Sequence, residues 1–192
     1  EYVLSCQTMC EDDMKIVLEA EQKAVIAETG DCYLYPADQT NRLVAACDIG
    51  TTTVVCHLLD GKTGVRLSTV SAPNAQRSFG ADVISRIQAA KGSGLRKMEF
   101  AIMNQINQML GELMQKAKQV GKVDLLAVAG NTVMEHLFCG LSPESIGVVP
   151  FEPLSKFGTM LQGSRIGINR CNYVYMIPAV AGYVGGDIVA DL

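Results

Sequence analysis

The chain has 192 residues, of which 48% are hydrophobic and 19% charged, and a net charge of −4. That length allows one good core plus an appendage, and the acidic balance argues against a general nucleic-acid surface. No apolar run reaches the roughly 18 residues of a membrane span, so neither nucleic acid nor membrane is an expected partner. Seven cysteines, an odd number without a framework of spacings, favour a reducing, cytoplasmic setting with mostly buried thiols. The opening residues lack the basic and apolar segments of a secretory leader. Glu1 is not an initiator Met, and Leu192 falls in what reads as the first turns of a helix. The expectation is a piece of a longer protein.

Residues 1–21 read as a small strand-rich tail, with Tyr2-Val3-Leu4 and an alternation of Met14, Ile16 and Leu18. Residues 22–41, with Gly30, Asp31 and Pro36, read as a linker. Three strands follow at about 43–49, 52–60 and 64–72. Ala81 to Ala90 reads as a helix with Val83, Ile84 and Ile87 on its apolar side, broken by Lys91-Gly92-Ser93-Gly94. From Leu95 to Val120 an apolar stripe recurs at three- and four-residue steps (Met98, Ile102, Ile106, Met109, Leu113), the mark of a buried helix face. Its methionines read as core. A strand from Asp124 to Ala129 leads to a helix capped by Thr132 and running to about Cys139, stopped by Gly140. Residues 142–170 look irregular, and a fifth strand spans Tyr173 to Ala179 before a last helix. Three antiparallel strands followed by helix-crossed parallel ones predict an α/β fold. It is a ribonuclease-H-like mixed five-stranded sheet with helices on both faces.

The chemistry concentrates at Asp48-Ile49-Gly50-Thr51-Thr52-Thr53, between two apolar runs. The glycine lets the backbone approach an anion. The N–H groups and the hydroxyls of Thr51, Thr52 and Thr53 are donors for phosphate oxygens, and Asp48 is placed to hold Mg²⁺ directly or through waters. Nearby Gly61-Lys62-Thr63 imitates a Walker motif, but Cys56 stands where its first glycine belongs, and a hairpin turn is the better reading. Gly185-Gly186-Asp187, opening a helix, is a second candidate phosphate loop. Asp187 there is placed to share the metal or position a water. Asn131 and Thr132 end the fourth strand, where ligand crevices form; phosphate contact and helix capping both stay open for them. Asp82 reads as a helix-start residue. His57 and His136 have no partner at metal-ligand spacing.

Leu4-Ser5-Cys6-Gln7-Thr8, followed by a strand, is similar to the end of a ferredoxin domain. A [2Fe–2S] centre takes four thiolates, so Cys6 alone is a partial ligand set and Cys10 adds no obvious second member.

Taken together, six stretches carry a resemblance. They are Cys6-Gln7-Thr8, Asp48 to Thr53, Phe79-Gly80-Ala81-Asp82-Val83-Ile84-Ser85-Arg86-Ile87, Ala129 to Met134, Gly147-Val148-Val149-Pro150-Phe151 and Val184 to Asp187. The chain resembles the reductive activators of corrinoid proteins, ferredoxin-linked ATPases with an acetate-kinase, sugar-kinase, chaperone and actin type core. The resemblance implies ATP, Mg²⁺ and a [2Fe–2S] cluster in the parent protein, and reduction of Co(II) corrinoid to Co(I). It implies an electron donor as one partner, and a corrinoid protein or corrinoid methyltransferase as another. It implies Asp48 and Asp187 as the catalytic carboxylates. Gly50, Thr51, Thr52, Thr53, Asn131, Thr132, Gly185 and Gly186 become nucleotide contacts, and Cys6 a cluster ligand. Residues 1–21 become the remnant of a ferredoxin-like domain, and 42–192 the first lobe of an actin-like ATPase. This piece by itself is expected not to turn over ATP. A small-molecule kinase of the same superfamily, a metal-dependent nuclease on a ribonuclease-H-like fold, and a purely redox docking protein are the competing readings.

Overall fold

The computed structural model describes residues 42–190. The predicted tail and linker, and with them Cys6 and Cys10, lie outside the described residues.

Strand β1 (Leu43–Ile49) buries Ala45, Cys47 and Ile49, and β2 (Thr53–Asp60) buries Val54, Cys56 and Leu58. Alternation with period two puts one face of each strand into the core. The two strands run antiparallel with Ile49 opposite Val54, and β3 (Arg66–Pro73) adds to β2 antiparallel. β4 (Val123–Gly130) runs parallel to β1, and β6 (Cys171–Met176) parallel to β4. The sheet order is β3-β2-β1-β4-β6-β5, the ribonuclease-H-like arrangement expected. It has six strands, not five. The addition is β5 (Thr159–Gln162), an edge strand antiparallel to β6 within the stretch expected to be irregular. Three of its four residues are exposed, so no buried alternation marked it. Its ladder to β6 makes it a strand.

One face of the sheet is covered by α1 (Val83–Ala89), α2 (Gly94–Lys116) and α3 (Thr132–Phe138). Met98, Ile102, Ile106, Met109, Leu110 and Leu113 of α2 are all buried, each contributing on the order of 1.5–3 kcal/mol. The methionines are core, as their spacing predicted. α2 stops at Lys116, earlier than Val120: Lys118 is left-handed at φ 54° and Val120 is 90% exposed. The short α4 (Gly186–Ala190) lies on the other face, where Ala190 meets the residues that alternate with the core, among them Ala46, Asp48, Ala127 and Ala129. β6 ends at Met176, before Pro178, and so does not reach Ala179. No helix among the described residues is long and apolar enough to cross a membrane.

The apolar side expected for α1 is only half right. Ile87 is buried, but Ile84 is 52% exposed, and the large side chain that goes inward is Arg86, with no exposed surface. Asp82 caps this helix. Its carboxylate accepts from Ser85 N–H at 2.8 Å and Ser85 Oγ accepts from Asp82 N–H, a reciprocal box. The Ser85 N–H holds the Asp82 carboxyl below its usual range.

Candidate phosphate-binding site

Gly50, Thr51 and Thr52 join β1 to β2, and all three of their carbonyls are engaged from one side. Asn74 Nδ2 donates to Gly50 O at 2.8 Å, and the Asn74 N–H donates to Thr52 O at 2.9 Å. Arg86 Nη2 donates to Thr51 O. In a trans peptide the carbonyl and the following N–H point opposite ways. Pinning these carbonyls therefore turns the N–H groups of Thr51, Thr52 and Thr53 away from Asn74 and Arg86, the disposition an anion requires. A Cβ at Gly50 would stand 2.6 Å from Thr53 O, so the turn closes only around a glycine. Asn74 is itself held, its Oδ1 accepting from Gln76 N–H at 2.8 Å.

The end of β4 touches both candidate loops. Asn131 Nδ2 donates to Thr51 Oγ1 at 3.1 Å, while Asn131 Oδ1 accepts from Met134 N–H at 3.1 Å and caps α3. The cap expected at Thr132 is thus one residue earlier. Of the two alternatives left open in the sequence, this amide makes the helix cap, and it also makes a contact to the first loop. Thr132 Oγ1 donates instead to Ala181 O at 2.8 Å, fastening the segment that leads to the second loop. At Gly185 a Cβ would fall 2.5 Å from both Gly130 O and Thr132 N and 2.6 Å from Asn131 Cα. Only a glycine backbone lies this close to the β4 turn.

Thr51, Asn131, Thr132 and Gly185 are therefore brought together. Thr52 is exposed at the loop tip and Thr53 opens β2. Asp48 sits opposite Ala129 across the parallel pair and faces an open cleft of about 500 Å³ shared with His57 and Ala190. Asp187 accepts from the Ile188 N–H at 2.9 Å.

Three polar residues of this region escape sequence reasoning. Asn74 and Arg86 have been described. The third is Glu135, fully buried on α3, with no hydrogen bond to either carboxylate oxygen. Its carboxylate lies where a side chain at Gly186 would be, 2.4 Å from a Cβ placed there. Burial pushes its carboxyl up to about 8; the Gly186 N–H alongside offsets this in part and the charge of Asp187 adds to it. Glu135 sits one residue past the Val-Met pair of α3, and its helical position next to buried Met134 was the available signal.

Both histidines are structural. His136 Nε2 accepts from Ser155 N–H at 3.3 Å and its Nδ1 lies 2.7 Å from Thr132 O, so Nδ1 carries the proton. Its ring packs edge-on against Phe157, and burial lowers its pKa. His57 Nδ1 lies 2.8 Å from Thr69 Oγ1 on the neighbouring strand.

The Asp48 carboxylate is a hard oxygen donor of the kind Mg²⁺ takes, and it lies at the end of β1 beside the pinned loop. A [2Fe–2S] cluster does not fit the described residues. No group of three or more His, Cys, Asp or Glu among them is suited to a metal. Burial holds the thiols of Cys139 and Cys171 at about 12 and about 11, unfavourable for thiolate ligation.

Sheet order and strand-end loops define a ribonuclease-H-like lobe with its polar loops gathered at one edge. The family model described as the RACo middle region matches residues 43–192, and the chain belongs to this family. It is 38% identical over 153 residues to the corrinoid activation enzyme RamQ of Eubacterium limosum, covering 77% of this chain and 26% of that protein. A solved structure, the reductive activator for corrinoid, iron-sulfur protein, superposes with a TM-score of 0.74 at 37% identity over 81% of this chain and 25% of that one. The chain spans about a quarter of the length of these relatives.

Proposed function

We propose that this chain is the first phosphate-binding lobe of an ATP-using reductive activator, which returns Co(II) corrinoid protein to Co(I) at the expense of one electron. The observation that carries the reading is the Asn131 junction: one amide contacts Thr51 of the first loop while Gly185 of the second packs on its backbone. Two anion loops converging on one strand end suit a polyphosphate better than a single phosphate. Membership of the RACo middle-region family and the likeness to two named corrinoid activators supply the reaction class.

In this reading Asp48 holds Mg²⁺, directly or through its waters. Thr51, Thr52 and Thr53 donate to phosphate oxygens from the first loop, and Gly185 and Gly186 present N–H groups from the second. Asp187 orients the attacking water. Asn131 and Thr132 set the spacing of the loops. When bound, ATP would supply driving force; a [2Fe–2S] cluster, for which Cys6 would be one thiolate, would supply one-electron chemistry. Residues 1–21 then belong to the cluster domain and 22–41 to the linker, with a corrinoid protein or corrinoid methyltransferase as partner. The small-molecule kinase, nuclease and redox-docking readings have no observation of their own in support.

The test is Asp48→Asn in the full-length protein. The Mg²⁺ requirement for ATP hydrolysis is expected to rise about 10–100-fold, the usual cost of losing a direct or outer-sphere metal carboxylate. Hydrolysis unchanged across a Mg²⁺ titration would overturn the reading. The 192-residue chain alone is expected to bind a non-hydrolysable ATP analogue only at about millimolar affinity, because one open lobe leaves each hydrogen bond in competition with water. Titration calorimetry reads this directly.

A further inference from the structure

We infer that Arg86 is the positioning cation of the first phosphate loop, setting the Thr51–Thr52 peptide for an incoming phosphate and placing a fixed positive charge behind it. The inference rests on the reading of that loop as a nucleotide-phosphate site and adds a residue that the loop sequence does not contain.

Arg86 has no exposed surface, and each nitrogen of its guanidinium makes one hydrogen bond. Nε donates to Gly80 O at 3.0 Å, Nη2 to Thr51 O and Nη1 to the Met134 thioether at 3.0 Å. None of these partners is an anion, and no salt bridge to Arg86 occurs among the described residues. A buried charge without a counterion is costly. Its field is least screened inside the protein and falls on the loop it touches. Asp82, just before the same helix, is the one acidic side chain whose charge favours Arg86, but its carboxylate is exposed and is held by the Ser85 N–H rather than by the guanidinium. Arg77, from the turn before the helix, adds positive charge to the same region, and with burial it depresses the Arg86 pKa. The missing counterion is the one the loop is built for.

Geometry strengthens this. The bond to Thr51 O fixes the peptide whose other end is the Thr52 N–H, at the exposed tip of the loop. Arg86 thus touches no phosphate, yet it sets both the direction of a donor and the potential at that donor. Lysine would keep the charge but cannot hold Gly80 O and Thr51 O in one plane.

The full-length protein would be titrated with the Mg²⁺ complex of a non-hydrolysable ATP analogue and, separately, with adenosine. The quantity read is the ratio of the two dissociation constants, which a general loss of folding would not shift selectively. R86M is expected to weaken the triphosphate about 10–100-fold, through the lost potential and the freed Thr51–Thr52 peptide, and to leave adenosine unchanged. R86K, which keeps the charge without the grip on two carbonyls, is expected to recover only part of that loss. M134E places a carboxylate beside Nη1 and neutralises the charge while Arg86 keeps its carbonyls; it is expected to lose the charge-dependent part of the triphosphate preference, while isosteric M134Q does not. M134E also keeps the test decisive if R86M does not fold. A wild-type protein that fails to prefer the triphosphate over adenosine would sink the phosphate-site reading itself. A wild type that prefers it, with the same preference in folded R86M or in M134E, would overturn the role of Arg86 alone.

Discussion

The two candidate loops sit on the same strand end and are built on opposite principles. The first, at Gly50 to Thr52, is held by hydrogen bonds: every carbonyl is taken by Asn74 or Arg86, and the Thr51 hydroxyl by Asn131. The second, at Gly185 to Asp187, is held by shape. Gly185 is wedged against Gly130, Asn131 and Thr132, and a carboxylate without hydrogen bonds, Glu135, stands at Gly186. A buried cation backs the first loop and a buried acid backs the second. On the proposed reading the first loop is therefore preset for an anion. The second carries a group that opposes one whenever it ionises.

The largest effect that separates them is on pH. The Glu135 carboxyl rises from 4.5 in the unfolded chain to about 8 in the fold. Between those values the folded state keeps a proton that the unfolded state has lost. The stability from this group is fully present below pH 4.5 and falls as pH rises through about 8. The slope is at most about 1.4 kcal/mol per pH unit. Glu135→Gln removes this dependence, and urea unfolding at stepped pH measures it. Parallel curves for wild type and variant over this range would show that Glu135 is not the acid the packing makes it. His136 contributes with the opposite sign. Its lowered pKa means stability lost as pH falls below its ordinary value of 6.5, so the two slopes oppose below pH 6.5 and the range from 6.5 to about 8 reads Glu135 without His136.

Gly185→Ala probes the second loop sterically. Its Cβ would meet three backbone atoms of residues 130–132, which have no flexible end to yield, so the β4 turn or α4 must shift. A loss of about 1–3 kcal/mol is expected. Thr51→Ala, in the first loop, deletes only the Asn131 contact and is expected to cost about 0.5–1.5 kcal/mol. Equal chemical-denaturation midpoints for the two variants would erase the contrast between a wedged loop and a bonded one.

Much of this was legible in the residues. The period-two runs of β1 and β2 and the stripe of α2 are local patterns that burial then obeys. The Asp48 to Thr53 turn and the glycines at 185 and 186 were visible because glycine and threonine have few other reasons to cluster between apolar strands. Arg86, Glu135 and Asn74 were not visible. A charged residue inside an amphipathic helix reads as solvent-facing, and only the arrival of Thr51 and Gly80 above α1 makes Arg86 an inward residue. Glu135 has no partner whose spacing might have announced it. β5 is a strand through pairing with β6 and carries no pattern of its own.

The smallest effect is the most discriminating, because Asn131 belongs to both loops. Its amide does two separable things: the oxygen caps α3 through Met134 N–H, and the nitrogen reaches Thr51 Oγ1. Serine caps nearly as well as asparagine, whereas alanine costs about 1 kcal/mol at such a position. A serine hydroxyl is one bond too short, and has no second heteroatom, to reach Thr51 while it caps. Asn131→Ser should therefore cost only the Thr51 tether, about 0.5–1.5 kcal/mol as in Thr51→Ala, and release the first loop. Asn131→Ala should lose both cap and tether. Backbone order parameters of residues 50–53, read by NMR relaxation on the picosecond–nanosecond scale, are expected to fall in both variants and by similar amounts. Thermal stability should fall further in the alanine variant, by the additional cap term of about 1 kcal/mol. If the order parameters hold in Asn131→Ser, then Asn74 and Arg86 suffice to fix the loop. The β4 end would then act on the second loop only, through the packing of Gly185.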